Sequence, residues 1–266
     1  MTVQPAFPYS LREINSLPEA QQTAIYRTLL PESIYEYFDI DPVTGVANGH
    51  RVVQYRTHQG SRAVEVIVRR DIHDRDPALY LHMVDTFNNQ ILVLLVVIND
   101  PDAPRFNTDV DHNGNPTSFG TASRNIPAEI AAMQAGLAPG QVRSGLRVFS
   151  QLVPPFEAFI ERMGHDMFLI EPLAYHNAVV FERYGFSYVR GLREMKQIHQ
   201  QFQPGGALHA KLTADNPFRL PDAWRTVRQR SWAIHDGILG HPFTGFQMYK
   251  RIGHHAGVQT FPDYEW

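Results

Sequence analysis

Histidine and carboxylate side chains carry most of the candidate chemistry in this sequence, because it has no cysteine. Disulfides, thiolate metal sites and cysteine nucleophiles are thereby excluded, and any metal would need imidazole, carboxylate or carbonyl ligands. Of the 13 histidines, His235, His241, His254 and His255 gather in the C-terminal quarter, with Asp236 next to the first. Neutral imidazoles with a carboxylate can bind zinc or iron, and a three-ligand set leaves coordination positions open for substrate. No HExxH or HxH spacing is present, so hydrogen-bonded or surface histidines are the plainer reading. In DVDHNG (residues 109–114), Asp109, Asp111 and Asn113 alternate ahead of Gly114, as in the first half of a calcium loop. Pro116 and Gly120 then stand where an apolar residue and a bidentate Glu are needed, so a tight Asx-type turn is expected instead. No GxSxG elbow, GxGxxG turn or GxxxxGK[ST] loop occurs.

The frame that must position these groups follows from composition and periodicity. A chain of 266 residues, 43% of them hydrophobic, can bury a core as one large domain or two small ones. A net charge of -3 provides no basic field, so neither nucleic acid nor an anionic membrane surface is expected as a partner. The longest apolar run, residues 91–98, falls far short of the roughly 20 residues of a spanning helix. The first residues lack a basic-then-apolar signal pattern, and the expectation is a soluble cytoplasmic protein without a membrane partner.

Residues 1–50 read as a helical lead-in, with Ser16 and Pro18 as start signals and apolar residues at Ile25, Leu29 and Leu30. Residues 51–55 and 63–68 read as a hairpin across a turn-rich THQGS. Residues 79–86 and 90–99 form a second pair across Asn88-Asn89, and the continuous apolar character of residues 91–98 predicts burial on both faces. A long polar loop, 100–125, is followed by PAEIAAMQAGL, which has helix formers behind Asn125 but is compatible with a strand. Residues 146–163 predict a helix bent or broken at Pro154-Pro155. A short buried strand over 167–170, a helix from Tyr175 that stops at Gly185, and a strand over 187–190 complete the pattern. In residues 223–237, Trp224, Val227 and Trp232 share one helical face, and Arg225, Arg228 and Arg230 are expected to project elsewhere. That face suits a core or a subunit interface, so a homo-oligomer is one expectation.

The order of strands, long loop, helix, strand, helix, strand over residues 51–190 resembles the core of the GNAT superfamily of acyl-CoA-dependent N-acyltransferases. Two local stretches are similar as well. LAPGQVRSGL (residues 137–146) looks like that family's turn into its cofactor-binding helix, and FERYGF (181–186) looks like its late helix ending in glycine and phenylalanine. The resemblance implies an α/β (α+β) fold with a mixed, mostly antiparallel central sheet flanked by helices, and a C-terminal extension over residues 191–266. It implies acetyl-CoA or another acyl-CoA as cofactor and a small-molecule amine as acceptor. Backbone amides of the turn would bind the pyrophosphate, which Gly140, Ser144 and Gly145 permit and to which Arg143 and Arg147 add charge. Candidate bases are Glu129, provided residues 128–137 form the family's central strand, and Glu171 at the end of the following strand. Candidate acids are Tyr175 and Tyr184. The sequence departs from the family at Arg147, where a small residue is usual, and at Phe181, where many members carry a proton-donating tyrosine. Two other readings stay open: a GNAT-like scaffold that binds a ligand or protein partner without catalysis, and a histidine/carboxylate metal enzyme.

Overall fold

The computed structural model describes residues 7–120, 122–263 and 265–266. Three short helices, α1 (Leu11–Ile14), α2 (Glu19–Tyr26) and α3 (Glu32–Tyr37), precede a small hairpin of β1 (Val46–Ala47) and β2 (His50–Arg51). Then come β3 (Val53–Arg56), β4 (Ala63–Val68), β5 (Leu79–Asp85) and β6 (Ile91–Ile98). After a long loop follow α4 (Ile126–Gln134), α5 (Phe149–Arg162), β7 (Met167–Ile170), α6 (Tyr175–Arg183), β8 (Ser187–Arg190), α7 (Leu192–Phe202), α8 (Val227–His235) and β9 (Gln247–Arg251). The fold is α/β of the α+β type, with a mixed seven-stranded sheet in the order β3-β4-β5-β6-β7-β9-β8. Strands β3 to β6 are antiparallel neighbours, and β7 joins β6 in parallel. Among the described residues no helix is long and apolar enough to cross a membrane.

The chain divides into two compact units. The first comprises the chain up to Pro101 with Gly145–Glu171 and Tyr249–His254; the second comprises Asp102–Ser144, Pro172–Met248 and His255–Trp266. This partition cuts across the 1–50, 51–190 and 191–266 division expected from the sequence.

In the first unit, two buried polar side chains pin the lead-in helices to the sheet. Asn15 donates from Nδ2 to the Ser61 and Ala63 carbonyls at 2.8 and 3.0 Å and accepts the Tyr26 hydroxyl at 2.6 Å. Asp85 accepts the Leu11 and Arg12 amides at 2.9 Å each, which satisfies donors that a four-residue helix cannot satisfy internally. Helix α5, expected to be bent or broken at Pro154-Pro155, is continuous through both. The two prolines forfeit helical N–H bonds, but the buried face of Phe156, Phe159 and Ile160 carries the helix across them.

In the second unit, PAEIAAMQ is a helix and not a strand, because Asn125 Oδ1 accepts the Ala128 amide as N-cap and Pro127 sits in the first turn. Helix α6 ends as expected before Gly185, whose φ is +82°. On α8, Arg230 points away from Trp232, as expected two residues along a helix, but it is buried as fully as Trp232, so the apolar side is not the only buried one. Its guanidinium lies over the rings of Phe202 and Phe261, at 5.2 and 4.3 Å from their centroids. It also donates to the Trp224 carbonyl at 2.6 Å and meets His199 Nδ1 at 3.1 Å. Aromatic faces and two acceptors replace the water that a buried cation loses.

Candidate functional site

Strand β6 changes partners part-way along its length. Its pairing with β5 slips between His82 and Met83, so that His82 faces Leu95 while Met83 faces Val93 and Leu94 is left as a bulge. On its other side β6 pairs with β7 only at Leu92 with Leu169 and Val93 with Ile170. β7 ends at Ile170, opposite the bulge, whereas β6 continues to Ile98 with no described sheet strand on that flank. Ile91 and Val93 are buried, whereas Leu92 and every residue from 94 to 98 are half-buried. The expected burial on both faces is therefore incomplete along the strand, and beyond the bulge its flank is also left unpaired by any described sheet strand. What remains is an apolar strand whose flank can hydrogen-bond an extended chain.

The far end of this flank approaches the start of α5. A Cβ on Gly145 would lie 3.1 Å from the Ile98 carbonyl oxygen, tighter than most side chains tolerate, so this crossing favours glycine. Arg147 follows with φ +58° and is exposed, and α5 begins at Phe149 behind an N-cap, Val148, that makes no side-chain capping bond. A helix of 14 residues with an uncapped start presents N–H groups and the positive end of its dipole. Of the five residues expected to bind cofactor, none lies in a first helical turn: Gly145 and Arg147 precede the α5 N-cap, Val148, and Gly140 (φ +81°), Arg143 and Ser144 belong to the second unit, in an irregular segment. There Arg143 donates to the Ala103 carbonyl.

The four candidate acid–base residues separate in the same way. Glu171 directly follows Ile170, so it stands where β7 leaves β6, and it is half-buried. Glu129 lies on α4, not on a central strand, and is buried. Arg124 binds its Oε2, and His235 Nε2 lies 3.3 Å from its Oε1. Burial alone would raise the Glu129 carboxyl, but the His235 and Arg124 bonds outweigh it and hold the group below the usual carboxylate range. Arg124 continues to Asp236 at 2.8 Å, and Arg219 meets Asp236 at 2.7 Å, so Glu129 is one member of an ion network. Tyr175 is fully buried, its phenol is pushed up to about 12 by burial, and its hydroxyl has no hydrogen-bond partner among the described residues. Tyr184 caps the C-terminus of α6 and is half-buried. Phe181 packs on Phe186 with ring centroids 5.3 Å apart.

The remaining sequence candidates resolve into local structure. Asp111 Oδ1 accepts the Asn113 and Asn115 amides at 2.8 and 2.9 Å, the Asx-type turn expected of DVDHNG. His255 Nε2 lies 3.2 Å from the Arg183 carbonyl oxygen, and His241 Nδ1 lies 3.1 Å from that of Pro242. Among the described residues, no group of three or more His, Asp or Glu side chains is arranged to hold a metal ion. Comparison with known proteins finds no matching family model, curated protein or solved structure.

Proposed function

We propose that the protein transfers an acyl group from an acyl-CoA to a small amine-type acceptor, using the fork between β6 and β7. The observation that carries this reading is the half-exposed strand beyond Leu94, which leads to the uncapped start of α5. Coenzyme A has two parts that suit such a surface: a linear arm with two amide groups, and a pyrophosphate. The arm adds to the open flank of β6 as an extended strand would. The pyrophosphate takes the N–H groups and dipole of α5, with Arg147 adding charge from solvent. The element order over residues 51–190 that resembles the GNAT core is further support.

In this arrangement the thioester carbonyl lies near the bulge and Glu171 next to it. The acceptor nitrogen attacks the carbonyl carbon, a C–N bond forms and the C–S bond breaks. The amine proton passes to Glu171, directly or through water, and the thiolate of CoA leaves and takes a proton from solvent. Holding both reactants at one place supplies most of the acceleration, and a positioned base adds about 10²- to 10⁴-fold. The test is release of CoA thiol from acetyl-CoA with a panel of amines, comparing the protein with Glu171→Gln. Turnover is expected with at least one amine and should fall about 100-fold or more in Glu171→Gln, with little change in acetyl-CoA affinity. Equal turnover in the two proteins would remove Glu171 from the mechanism. Phe181, which cannot donate a proton, favours a second reading in which the same fork binds an acyl-CoA without turning it over. Binding without thiol release from any amine would support that one.

A further inference from the structure

The first unit contains a cavity of about 520 Å³ that plays no part in the acyl-transfer reading. It lies between α2, α3 and β3, the strand at one edge of the sheet. Three strand spacings separate β3 from β6, on the order of 14 Å. Its lining is polar, and two of its side chains are the guanidinium groups of Arg27 and Arg51.

Arg27 is half-buried, and its guanidinium makes no hydrogen bond or ion pair with any described residue. A partly desolvated cation in a cavity is normally paired, since burial removes the water that stabilises its charge. The two phenols that line the cavity do not neutralise it: Tyr35 donates its hydroxyl to the Arg27 carbonyl at 3.3 Å, and Tyr35 and Tyr55 are both uncharged near neutral pH. Tyr55 also stacks on the buried Tyr26, 5.9 Å away, which makes this wall rigid. On the facing side Gly45 has φ +68°, and a Cβ there would be 3.0 Å from Val53 Cβ, so that loop is held close against β3. Arg51 is exposed and likewise unpaired, and the exposed Glu19 is the acid that lines the cavity with them.

We propose that this cavity is a binding site for a small anionic ligand, whose carboxylate or phosphate group pairs with Arg27 and is reached by Arg51. The volume falls in the range of small-molecule sites, about 300–1,000 Å³, and exceeds what one inorganic ion fills. The ligand therefore carries further polar groups, for which Gln54 supplies an amide N–H, whereas Gln22 Nε2 is held by the Asn15 and Leu17 carbonyls. Nothing in this inference depends on acyl transfer.

The experiment is calorimetric titration of the full chain with inorganic phosphate and, separately, with citrate, both at matched ionic strength. Saturable binding of either probe is expected, and which one binds identifies the anion as phosphate or carboxylate. Arg27→Gln should weaken that binding about 10- to 100-fold, the loss of a charge-assisted pair. The same variant should leave acetyl-CoA binding unchanged, which separates this site from the β6 fork. Saturable binding of neither probe, or equal affinity in Arg27→Gln, would overturn the proposal. Should Arg27→Gln fail to fold, Arg51→Gln alters only an exposed side chain. A several-fold loss there supports the site, and unchanged affinity overturns it.

Discussion

Lowering the pH from 7.5 to 5 is expected to destabilise the second unit through one imidazole, that of His176. This side chain is buried, with the Ser231 hydroxyl 2.9 Å from Nδ1 and the Asn177 amide 3.1 Å from Nε2. Burial, and then the neighbouring His235, push it from an ordinary histidine value near 6.5 down to about 3. A folded-state value below the unfolded one means that the unfolded chain takes up the proton first. The stability contribution is therefore intact above about pH 6.5 and is lost progressively as pH falls toward about 3. At pH 5 the unfolded imidazole is about 1.5 units below its own pKa, so the loss is about 2 kcal/mol. By pH 3 it reaches about 4 kcal/mol. Two assays read this directly. Imidazole C–H resonances followed by NMR should show one histidine that does not titrate between pH 8 and 4.5. Denaturant unfolding at pH 7.5 and 5 should give a difference about 2 kcal/mol smaller in His176→Gln than in the parent protein. A His176 resonance titrating near pH 6.5, or the same pH dependence in both proteins, would show that burial does not keep this imidazole neutral.

Other perturbations have signs that follow from the same contacts. Asp236→Asn removes the charge that joins Arg124 and Arg219 and should cost about 2–4 kcal/mol by chemical denaturation. Burial raises the Asp236 carboxyl, but bonds from Arg124 and Asn216 and the charge of Arg219 outweigh it and lower it overall. The stability it supplies is thus present above about pH 4 and lost below, a window that lies at the acid end of the His176 one and is absent from the Asn variant. Gly185→Ala forces a side chain onto φ +82° with its Cβ 2.8 Å from His255 Cα. It should cost about 2 kcal/mol or more, read as a lowered unfolding midpoint, and Gly240→Ala, with open space at the Cβ, should cost less.

How much was legible in the sequence depended on whether the signal was local. The hairpins, the strand at 167–170, the stop at Gly185 and the cap at Asn125 are set by neighbours in the chain, and the patterns of apolar, turn and capping residues located them. The bulge at Leu94 carried no mark, because ILVLLVVI reads the same whether or not a neighbouring strand ends early. Burial of Arg230 was equally hidden, since it depends on Phe202 and Phe261, which lie 28 and 31 residues away in the chain. The ion network of Glu129, Arg124, Asp236 and Arg219 draws on two separate stretches, and only the pairing of His235 with Asp236 in sequence hinted at it. The cavity beside Arg27 left no motif, because its two arginines come from a 3₁₀ turn and a two-residue strand.

Acyl-CoA binding at the start of α5 is tested by calorimetric titration with acetyl-CoA, run in parallel on the protein and on Ser150→Glu. Ser150 is exposed in the first turn of α5, where a carboxylate suits the helix dipole and should leave stability unchanged or raise it by about 0.3–1 kcal/mol. The same carboxylate would repel a pyrophosphate at that helix start. Saturable binding to the parent protein is expected, with about 2.7 kcal/mol of stabilisation at 100 times the dissociation constant. Ser150→Glu should remain fully folded and lose at least ten-fold in affinity. No binding to the parent, or undiminished binding to Ser150→Glu, would mean that acyl-CoA is not held at this helix start.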